Sequence, residues 1–306
     1  MTPDIAPDSF SGADRNDART ARLILADAHR AHGTRFRPVR PLRGGFQSGA
    51  WLVRAADGAG GLAVLKWSPD SNGAARILRA ARAVERARAA GYPTPGWLVA
   101  GVAQSGLPYH IQQFVPGASA ERLTAEAAER LVPVLESQRG IDPDPGHCWS
   151  RYTRDRLAGG LGGIRQALAT GPEGRRFVAA VDALLAAHED SGLPTGDLVH
   201  GDFRLQNILF RSGRVAAVVD AEALGSGTRA FDYATLLTVD DVDPAGWDII
   251  RAAGERVAGP GVLARSFALA AVELAGFVSA RGPGRLPVII GPLTRRAMAL
   301  RPRAPG

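Results

Sequence analysis

The single lysine of this chain is its first candidate for a residue with a chemical role. Of 37 lysine and arginine residues, 36 are arginines, and the exception is Lys66 in the apolar segment Leu62 to Trp67. A composition rich in alanine, glycine and arginine is typical of GC-rich genomes, in which arginine codons displace lysine codons. An arginine does not replace a lysine that acts as a compact point charge in a tight pocket. Unless it survived by chance, Lys66 therefore indicates a role that needs an ammonium group.

A second set of polar residues occupies a short β-rich island, residues 197–220, in the otherwise helical second half of the chain. It contains the tripeptide His-Gly-Asp at 200–202, then Asn207, and then Asp220 at the end of an apolar strand. A carboxylate can orient a hydroxyl group and accept its proton. Amide and carboxylate oxygens are the hard ligands that Mg²⁺ prefers. The alternative is a polar turn in which Asp202 and Asn207 hydrogen-bond their own backbone.

The flanking sequence predicts the elements that must position these residues. Asp17 is expected to cap a helix that ends near His32. Apolar runs separated by glycines predict an antiparallel sheet of three strands, then a long helix, then two further strands. The predicted strands are 36–42, 50–55, 62–67, 97–102 and 109–115, and the predicted helix is 74–90. Helical periodicity then dominates 119–139, 155–170, 173–190 and 231–300.

This order of elements predicts an α+β fold with a β-rich N-terminal part and a larger helical part. Residues 1–16 are polar and are expected to be disordered. Residues 17–116 are assigned to an N-terminal lobe and residues 117–306 to a C-terminal helical lobe, because Pro116-Gly117 breaks the strand pattern. The length of 306 residues fits two lobes that share a cleft.

Taken in order, these features resemble the aminoglycoside phosphotransferase family, including its choline-kinase-type relatives, which share the protein-kinase fold. The resemblance covers roughly residues 36–235 and rests on Lys66 in a third strand, the His-Gly-Asp tripeptide, Asn207 and the strand-terminal Asp220. It implies a two-lobed protein-kinase-like fold, with a small antiparallel sheet and one main helix in the nucleotide-binding lobe. The larger lobe would then carry the catalytic loop and the acceptor pocket.

The resemblance also implies a role for each motif residue. Transfer of a γ-phosphoryl group depends on positioning and charge neutralisation. Asp202 would orient the acceptor hydroxyl and take its proton, and Asn207 and Asp220 would hold Mg²⁺ against the phosphates of ATP or GTP. The histidine of this motif is expected to support the loop and not to act as a base.

Two further segments would bind the nucleotide. Glycines in the loop 43–49, with Gly44, Gly45 and Ser48, would let backbone N–H groups approach the phosphates. By resemblance, residues 112–117 form the hinge, and the backbone groups of Gln113 and Val115 in it would pair with the adenine edge.

Lys66 would contact the α- and β-phosphates and needs a carboxylate from the following helix to hold it. Here the chain departs from the family pattern, because the usual glutamate position falls near Ala80. Glu85 is the nearest acid, and helical phase predicts that it shares an inward face with Leu78 and Ala81. The alternative is an exposed Glu85 that pairs with a neighbouring arginine.

The segment after Asp220 follows the family with one local change. Asp232 stands where the family has an aspartate that braces the catalytic loop, whereas Thr228 and Arg229 replace the usual Asp-Pro. Glu222 is either a residue that approaches the metal or the substrate, or an exposed loop carboxylate. Candidate lining residues of the acceptor pocket are Arg151, Arg154, Asp155, Arg156, Asp240, Asp241 and Asp243. The cluster at 240–243 would suit a cationic acceptor, but an acidic helix cap explains it equally well.

The sequence therefore predicts an ATP-dependent phosphotransferase that acts on a hydroxyl of a small molecule, and the resemblance implies that this molecule is an antibiotic. A metabolic small-molecule kinase for choline, a sugar or an amino alcohol is the alternative. A nucleotide-binding pseudokinase predicts loss of Asp202, Asn207 or Asp220, and all three are present. The net charge of +7 is spread over scattered arginines, which argues against a nucleic-acid partner.

Cysteine usage and the lack of an apolar signal region indicate a cytoplasmic protein. Cys148 is the single cysteine, so an internal disulfide is excluded. No segment is expected to span a membrane. A monomer or a homodimer is expected.

Overall fold

The computed structural model describes residues 17–42, 49–56, 61–68, 70, 73–188 and 192–302. The disorder predicted for residues 1–16, and the loop residues Gly44, Gly45 and Ser48, lie outside the described residues. The chain divides into two compact units. Unit 1 comprises residues 1–85 and 95–115, and unit 2 comprises residues 86–94 and 116–306. Residues 86–94 therefore group with unit 2, whereas the sequence placed them in the N-terminal lobe.

The described part of the chain is built from helices that follow a β-rich beginning. Its strands are β1 (Phe36–Pro41), β2 (Gly49–Ala55), β3 (Leu62–Trp67), β4 (Trp97–Val102), β5 (Pro108–Gln113), β6 (Asp197–Val199), β7 (Ile208–Arg211), β8 (Arg214–Val218) and β9 (Gly225–Gly227). Its helices are α1 (Ala18–His32), α2 (Ala74–Ala89), α3 (Ala125–Glu136), α4 (Trp149–Asp155), α5 (Gly162–Leu168), α6 (Pro172–Ala186), α7 (Ala230–Leu236), α8 (Pro244–Ala258), α9 (Pro260–Arg281) and α10 (Leu286–Ala299). A π-helical turn, Arg156–Gly160, follows α4.

The sheet of unit 1 places Lys66 on an interior strand. Its five strands are ordered β1-β2-β3-β5-β4, and every neighbouring pair is antiparallel. Lys66 on β3 lies opposite Ala50 on β2 and His110 on β5. The predicted antiparallel sheet and its two added strands are confirmed, and β4 has the predicted bounds.

One face of this sheet is covered by α1, which begins where the sequence predicts. The Asp17 carboxylate accepts hydrogen bonds from the backbone N–H groups of Arg19 and Thr20 at 3.0 and 2.9 Å, which is the usual way a helix N-terminus is capped. Ile24 of α1 and Leu65 of β3 belong to one buried apolar cluster. Because successive side chains of a strand point to opposite faces, this packing directs Lys66 to the other face of the sheet.

Helix α9 forms the centre of unit 2 and corrects one expectation from the sequence. Its 22 residues are long and apolar enough to cross a membrane by length and composition, whereas no such stretch was expected. In the structure 67% of its most apolar window is buried, and Leu263, Phe267 and Leu269 are fully buried. Helix α7 packs against α8 and α9. The apolar character of α9 is therefore explained by burial within unit 2.

Four short strands hold the polar island of unit 2. Strand β6 pairs with β9, and β7 pairs with β8 as an antiparallel hairpin in which Ile208 lies opposite Val218. The chain between β6 and β7 contains His200 to Asn207, and Asp220 follows β8. The hairpin therefore brings the end of the first polar segment beside the start of the second.

Removal of the buried side chain next to Lys66 tests this account of the sheet. Leu65→Ala is expected to lower the free energy of unfolding by about 2–5 kcal/mol, because the side chain is fully buried and its loss leaves a cavity. Urea unfolding is the measurement, and Leu23→Ala on α1 is the control because Leu23 is 58% exposed. Equal midpoints for the two variants would contradict the assignment of the core.

Candidate active site

The loop from His200 to Asn207 alternates buried anchors with partly exposed polar residues. Phe203 and Leu205 are fully buried, and they fix the loop to the body of unit 2. Asp202 directly precedes these anchors and Arg204 lies between them, and they keep 43% and 33% of their side-chain surface exposed. The loop therefore presents Asp202 and Arg204 to solvent on a backbone that is held from beneath.

A buried carboxylate supports this loop from α7. The two oxygens of Asp232 accept hydrogen bonds from the backbone N–H groups of His200 at 2.7 Å and Gly201 at 3.0 Å. The side-chain amide of Gln138 donates a third at 2.8 Å. Burial raises the pKa of Asp232, and its hydrogen bonds from His200, Gly201 and Gln138 act in the opposite direction. The predicted bracing role of Asp232 is confirmed by these contacts.

His200 is a structural part of the loop, as expected. Its ring is buried, and Nδ1 accepts a hydrogen bond from the backbone N–H of Asp202 at 3.3 Å. Nε2 lies 3.0 Å from the carbonyl oxygen of Val219. Since Nδ1 accepts, the ring proton is on Nε2, which donates to Val219. Both nitrogens are therefore engaged with the protein, and the ring links the loop to the strand end that precedes Asp220.

The side chain of Asn207 is oriented by Asp202. Its Nδ2 donates to the backbone carbonyl of Asp202 and to Oδ2 of the Asp202 side chain, both at 2.9 Å. Because the amide nitrogen is held in this way, the amide oxygen is turned away from Asp202 and can serve as a ligand. The backbone N–H of Val219 donates to the carbonyl of Asn207 at 2.7 Å, so Asp220 is joined to Asn207 through one residue.

Asp220 adopts a backbone conformation that is uncommon for a residue other than glycine. Its φ and ψ are 66° and 44°, in the left-handed region, and its side chain is half-buried. Aspartate tolerates this region better than most residues, and such conformations cluster at functional sites. The turn ends β8 at the point where Asp220 lies beside the loop.

The donor set of this site fits a magnesium ion that is bound together with a nucleotide. Among the residues that the structure describes, no group of three or more His, Cys, Asp or Glu side chains converges as a metal site. Mg²⁺ bound to a nucleotide usually takes one or two protein oxygens, and phosphates and water complete its shell. The amide oxygen of Asn207 and the carboxylate of Asp220 are ligands of this kind.

Trp149 is a supporting residue that the sequence did not reveal. Gly201 has φ +82°, and a Cβ added to it would lie 2.2 Å from the Trp149 ring. The indole N–H donates to the carbonyl of Ala223 at 2.9 Å, and the ring stacks on Phe231 at 4.7 Å. Trp149 thus packs against the glycine of the tripeptide and the turn after Asp220. No motif marks it, because its role depends on a contact between distant segments.

At 228–229, where the chain departs from the family pattern, Arg229 forms an ion-pair network. Arg229 is 8% exposed and donates to Asp197 at 2.8 Å and to Glu136 at 3.0 Å. Tyr233 also donates to Glu136, at 2.6 Å. Burial acts to raise the pKa of Glu136, but the hydrogen bonds from Tyr233 and Arg229, together with the charges of Arg229 and Arg256, lower it below its usual value. Asp197 begins the strand that leads into the loop, so Arg229 ties α7 to that strand.

In unit 1, the strand register places Lys66 opposite His110 on β5. Lys66 is half-buried, and His110, opposite it on β5, is buried and stacks on Trp97 with ring centroids 3.8 Å apart. Two residues after β5 ends, Val115 makes no backbone–backbone hydrogen bond with the described part of the chain. Gln113 donates its N–H to Gly96 at 2.8 Å. The assignment of Gln113 and Val115 to a nucleotide-binding hinge stays a prediction.

The predicted orientation of Glu85 is wrong. The buried residues of α2 are Ile77, Ala80, Ala83, Val84 and Ala87, whereas Glu85 is exposed and Leu78 is 41% exposed. The sequence assigned the inward face to Leu78 and Glu85 because both lie on one helical stripe. The stripe of small apolar residues through Ala80 is the one that packs. Helical phase therefore gives no support to Glu85 as the partner of Lys66.

The acidic residues at 240–243 are engaged within the protein. Asp243 caps α8 by accepting a hydrogen bond from the N–H of Gly246 at 2.6 Å, so the helix-cap interpretation holds for this residue. Asp241 and Asp240 form ion pairs with arginines at 3.2 and 3.3 Å. A cationic acceptor would have to compete with these contacts.

Three of the candidate acceptor residues near α4 are also engaged in ion pairs within the protein. Arg154 lies 3.1 Å from Asp155, and Nε of Arg156 donates to Glu273 of α9 at 3.1 Å. The hydroxyl of Tyr152 donates to the same glutamate at 2.5 Å. Glu273 is a residue that the sequence did not single out, because its partners lie more than one hundred positions away.

Solved structures share the fold of this chain at low sequence identity. The aminoglycoside phosphotransferase APH(4)-Ia is 17% identical with a TM-score of 0.64, and the match covers 92% of this chain and 98% of that one. A thermostable mutant of it, in a ternary complex with AMP-PNP and hygromycin B, is 18% identical with a TM-score of 0.64 over 90% and 97% of the two chains. The macrolide 2′-phosphotransferase MphH from Brachybacterium faecium is 19% identical with a TM-score of 0.53 over 94% and 99%.

These likenesses show the kinase-like fold, as the sequence predicts. No curated protein matches the chain. The model of the phosphotransferase enzyme family matches residues 38–268, which include Lys66, the His-Gly-Asp loop, Asn207 and Asp220. Since this match extends over more than half of the sequence, the chain belongs to the phosphotransferase enzyme family.

Proposed function

We propose that this enzyme transfers the γ-phosphoryl group of ATP to a hydroxyl of a small molecule, with an antibiotic as the most fitting class of acceptor. The observation that carries the proposal is the joined set of Asp202, Asn207 and Asp220. Asp202 hydrogen-bonds Asn207, and the backbone of Asn207 bonds the residue that precedes Asp220. Relatives of similar fold are named as aminoglycoside and macrolide phosphotransferases, which supports an antibiotic acceptor.

Asp202 acts on the acceptor. Its partly exposed carboxylate accepts a hydrogen bond from the acceptor hydroxyl, orients the oxygen toward the γ-phosphorus and takes the proton as the new bond forms. The loop is held by Asp232 and His200, so the carboxylate is placed before substrate arrives. Such preorganisation is the main contribution that a protein makes to phosphoryl transfer.

Asn207 and Asp220 hold the metal, and residues of unit 1 hold the nucleotide. A bound Mg²⁺ supplies charge neutralisation at the β- and γ-phosphates. Lys66 contributes an ammonium to the α- and β-phosphates, while the backbone of Gln113 and Val115 binds adenine. The glycine loop with Gly44, Gly45 and Ser48 lies outside the described residues, and its contact with the phosphates stays a prediction from the sequence. The proposal also places the enzyme in the cytoplasm, where both ATP and Mg²⁺ are present.

Asp202→Asn tests the assigned base. Turnover is expected to fall by about 10² or more while Mg-ATP still binds, because an amide does not accept the hydroxyl proton. The rate is measured on an acceptor found by screening hydroxylated antibiotics and metabolites, with Asp248→Asn, an exposed site, as the matched control. Turnover of Asp202→Asn close to that of the wild type would contradict the assignment.

Asp220→Ala tests the metal site. The variant is expected to lose Mg²⁺-dependent nucleotide binding, and Asn207→Ala is expected to weaken it, because each removes an oxygen ligand. Calorimetry with Mg-ATP, and with ATP in the presence of a chelator, separates the metal-dependent part of the affinity. If Asp220→Ala binds Mg-ATP as tightly as the wild type does, the metal lies elsewhere.

Lys66→Arg tests the interpretation of the single lysine. The change preserves the charge, but a planar guanidinium is wider than an ammonium and does not replace it between phosphate groups. A large loss of kcat/KM for ATP is expected, with the fold intact by circular dichroism. Arg22→Lys, an exposed exchange on α1, is the control. Activity of Lys66→Arg near that of the wild type would show that the lysine survived by chance.

A further inference from the structure

Arg204 forms an ion pair with the carboxylate that the proposed function assigns as the base. Its Nε donates to Oδ1 of Asp202 at 2.6 Å, whereas Oδ2 accepts from Asn207 at 2.9 Å. Each oxygen of Asp202 thus has one N–H donor, and the donor on Oδ1 is positively charged. A cation therefore lies directly beside the place where the acceptor hydroxyl would be held.

Loop stability does not explain this arginine. The side chains of Arg204 and Asp202 are 33% and 43% exposed, and ion pairs of this exposure contribute little to folding. The loop is anchored instead by buried Phe203 and Leu205 on either side of Arg204, and by the hydrogen bonds to Asp232. An arginine at this position is consequently available for a chemical role.

Arg204 also has hydrogen-bond donors for which no described residue is the acceptor. Nε is one of the donors of the planar guanidinium, and the two terminal nitrogens make no hydrogen bond with any residue that the structure describes. The fork of N–H groups matches the spacing of phosphate oxygens, with which arginine forms charge-assisted bidentate bonds. The free end of the side chain is thus suited to a phosphoryl group.

The reaction creates a need for such a cation at this place. The acceptor oxygen bonds to the γ-phosphorus, its proton passes to Asp202, and the bond from phosphorus to the β-phosphate oxygen breaks so that the nucleoside diphosphate leaves with the electron pair. The acceptor oxygen lies within about 3.2 Å of Asp202 and about 3–3.5 Å from phosphorus at attack. Arg204, on the same carboxylate, is therefore a neighbour of the γ-phosphoryl oxygens.

We propose that Arg204 is a catalytic residue whose terminal N–H groups bind the γ-phosphoryl group and neutralise the charge that it carries during transfer. The proposal rests on the proposed function, because it takes Asp202 as the base. The guanidinium is held on Asp202 through Nε, which leaves its terminal N–H groups as donors for the nucleotide. When ATP binds, these donors engage the γ-phosphoryl oxygens, which ADP lacks.

Two nucleotides that differ in the γ-phosphoryl group test this assignment without knowledge of the acceptor. Arg204→Gln is expected to weaken binding of Mg-AMP-PNP by about tenfold or more and to leave binding of Mg-ADP within about twofold, because a charge-assisted contact to the γ-phosphoryl is lost. Isothermal calorimetry measures both affinities. Arg211→Gln, an exposed arginine on β7, is the matched control and is expected to bind both nucleotides as the wild type does.

Turnover and thermal unfolding complete the test. Once an acceptor that the wild type phosphorylates has been identified, the kcat of Arg204→Gln is expected to be about 10²-fold lower than that of the wild type. A loss of this size is usual when one charge-stabilising donor is removed. Arg204→Lys should recover part of the AMP-PNP affinity, because it restores the charge without the fork. The proposal would be overturned if Arg204→Gln lost the same affinity for Mg-ADP as for Mg-AMP-PNP. It would also be overturned if the variant had a lower melting temperature and showed no difference between the two nucleotides, because Arg204 would then only brace the loop. If the wild type binds neither nucleotide, the proposed function itself is wrong.

Discussion

The buried carboxylate of Asp232 is the constraint on which the rest of the site depends. It accepts backbone hydrogen bonds from His200 and Gly201, the two residues that precede Asp202, and a third from Gln138. A buried carboxylate without such partners would be strongly unfavourable, so the site forms as a unit. Asp232 lies on α7, which packs against α8 and α9. The loop is therefore fixed to the helical core, although the side chains of Asp202 and Arg204 are partly exposed to solvent.

From this anchor, hydrogen bonds connect the reacting residues in sequence. His200 bonds Val219, Val219 bonds Asn207, and Asn207 bonds Asp202. The proposed base and the two proposed metal ligands are consequently coupled through one short network. Because of these bonds, a shift of the loop would move Asp202, Asn207 and Asp220 together. Their relative positions are thereby preserved, which phosphoryl transfer requires.

The sequence predicted what depends on local pattern. The helix after Asp17, the strands around Lys66 and the His-Gly-Asp island follow from caps, glycine breaks and apolar runs, and the structure confirms them. The phase of α2 was predicted wrongly, since small alanines around Ala80 pack inward and no local rule separates that stripe from the one with Glu85. Trp149 was missed because its meaning lies in contacts with residues far along the chain.

The most direct test of the central claim follows the phosphoryl group itself. ATP labelled with ¹⁸O on the γ-phosphoryl oxygens is incubated with the enzyme, Mg²⁺ and each member of a panel of hydroxylated antibiotics and metabolites, and the products are analysed by mass spectrometry. The account predicts that one acceptor gains a phosphate that carries the label, in equal amount to the ADP formed. Label found in inorganic phosphate alone, with every acceptor unmodified, would contradict it.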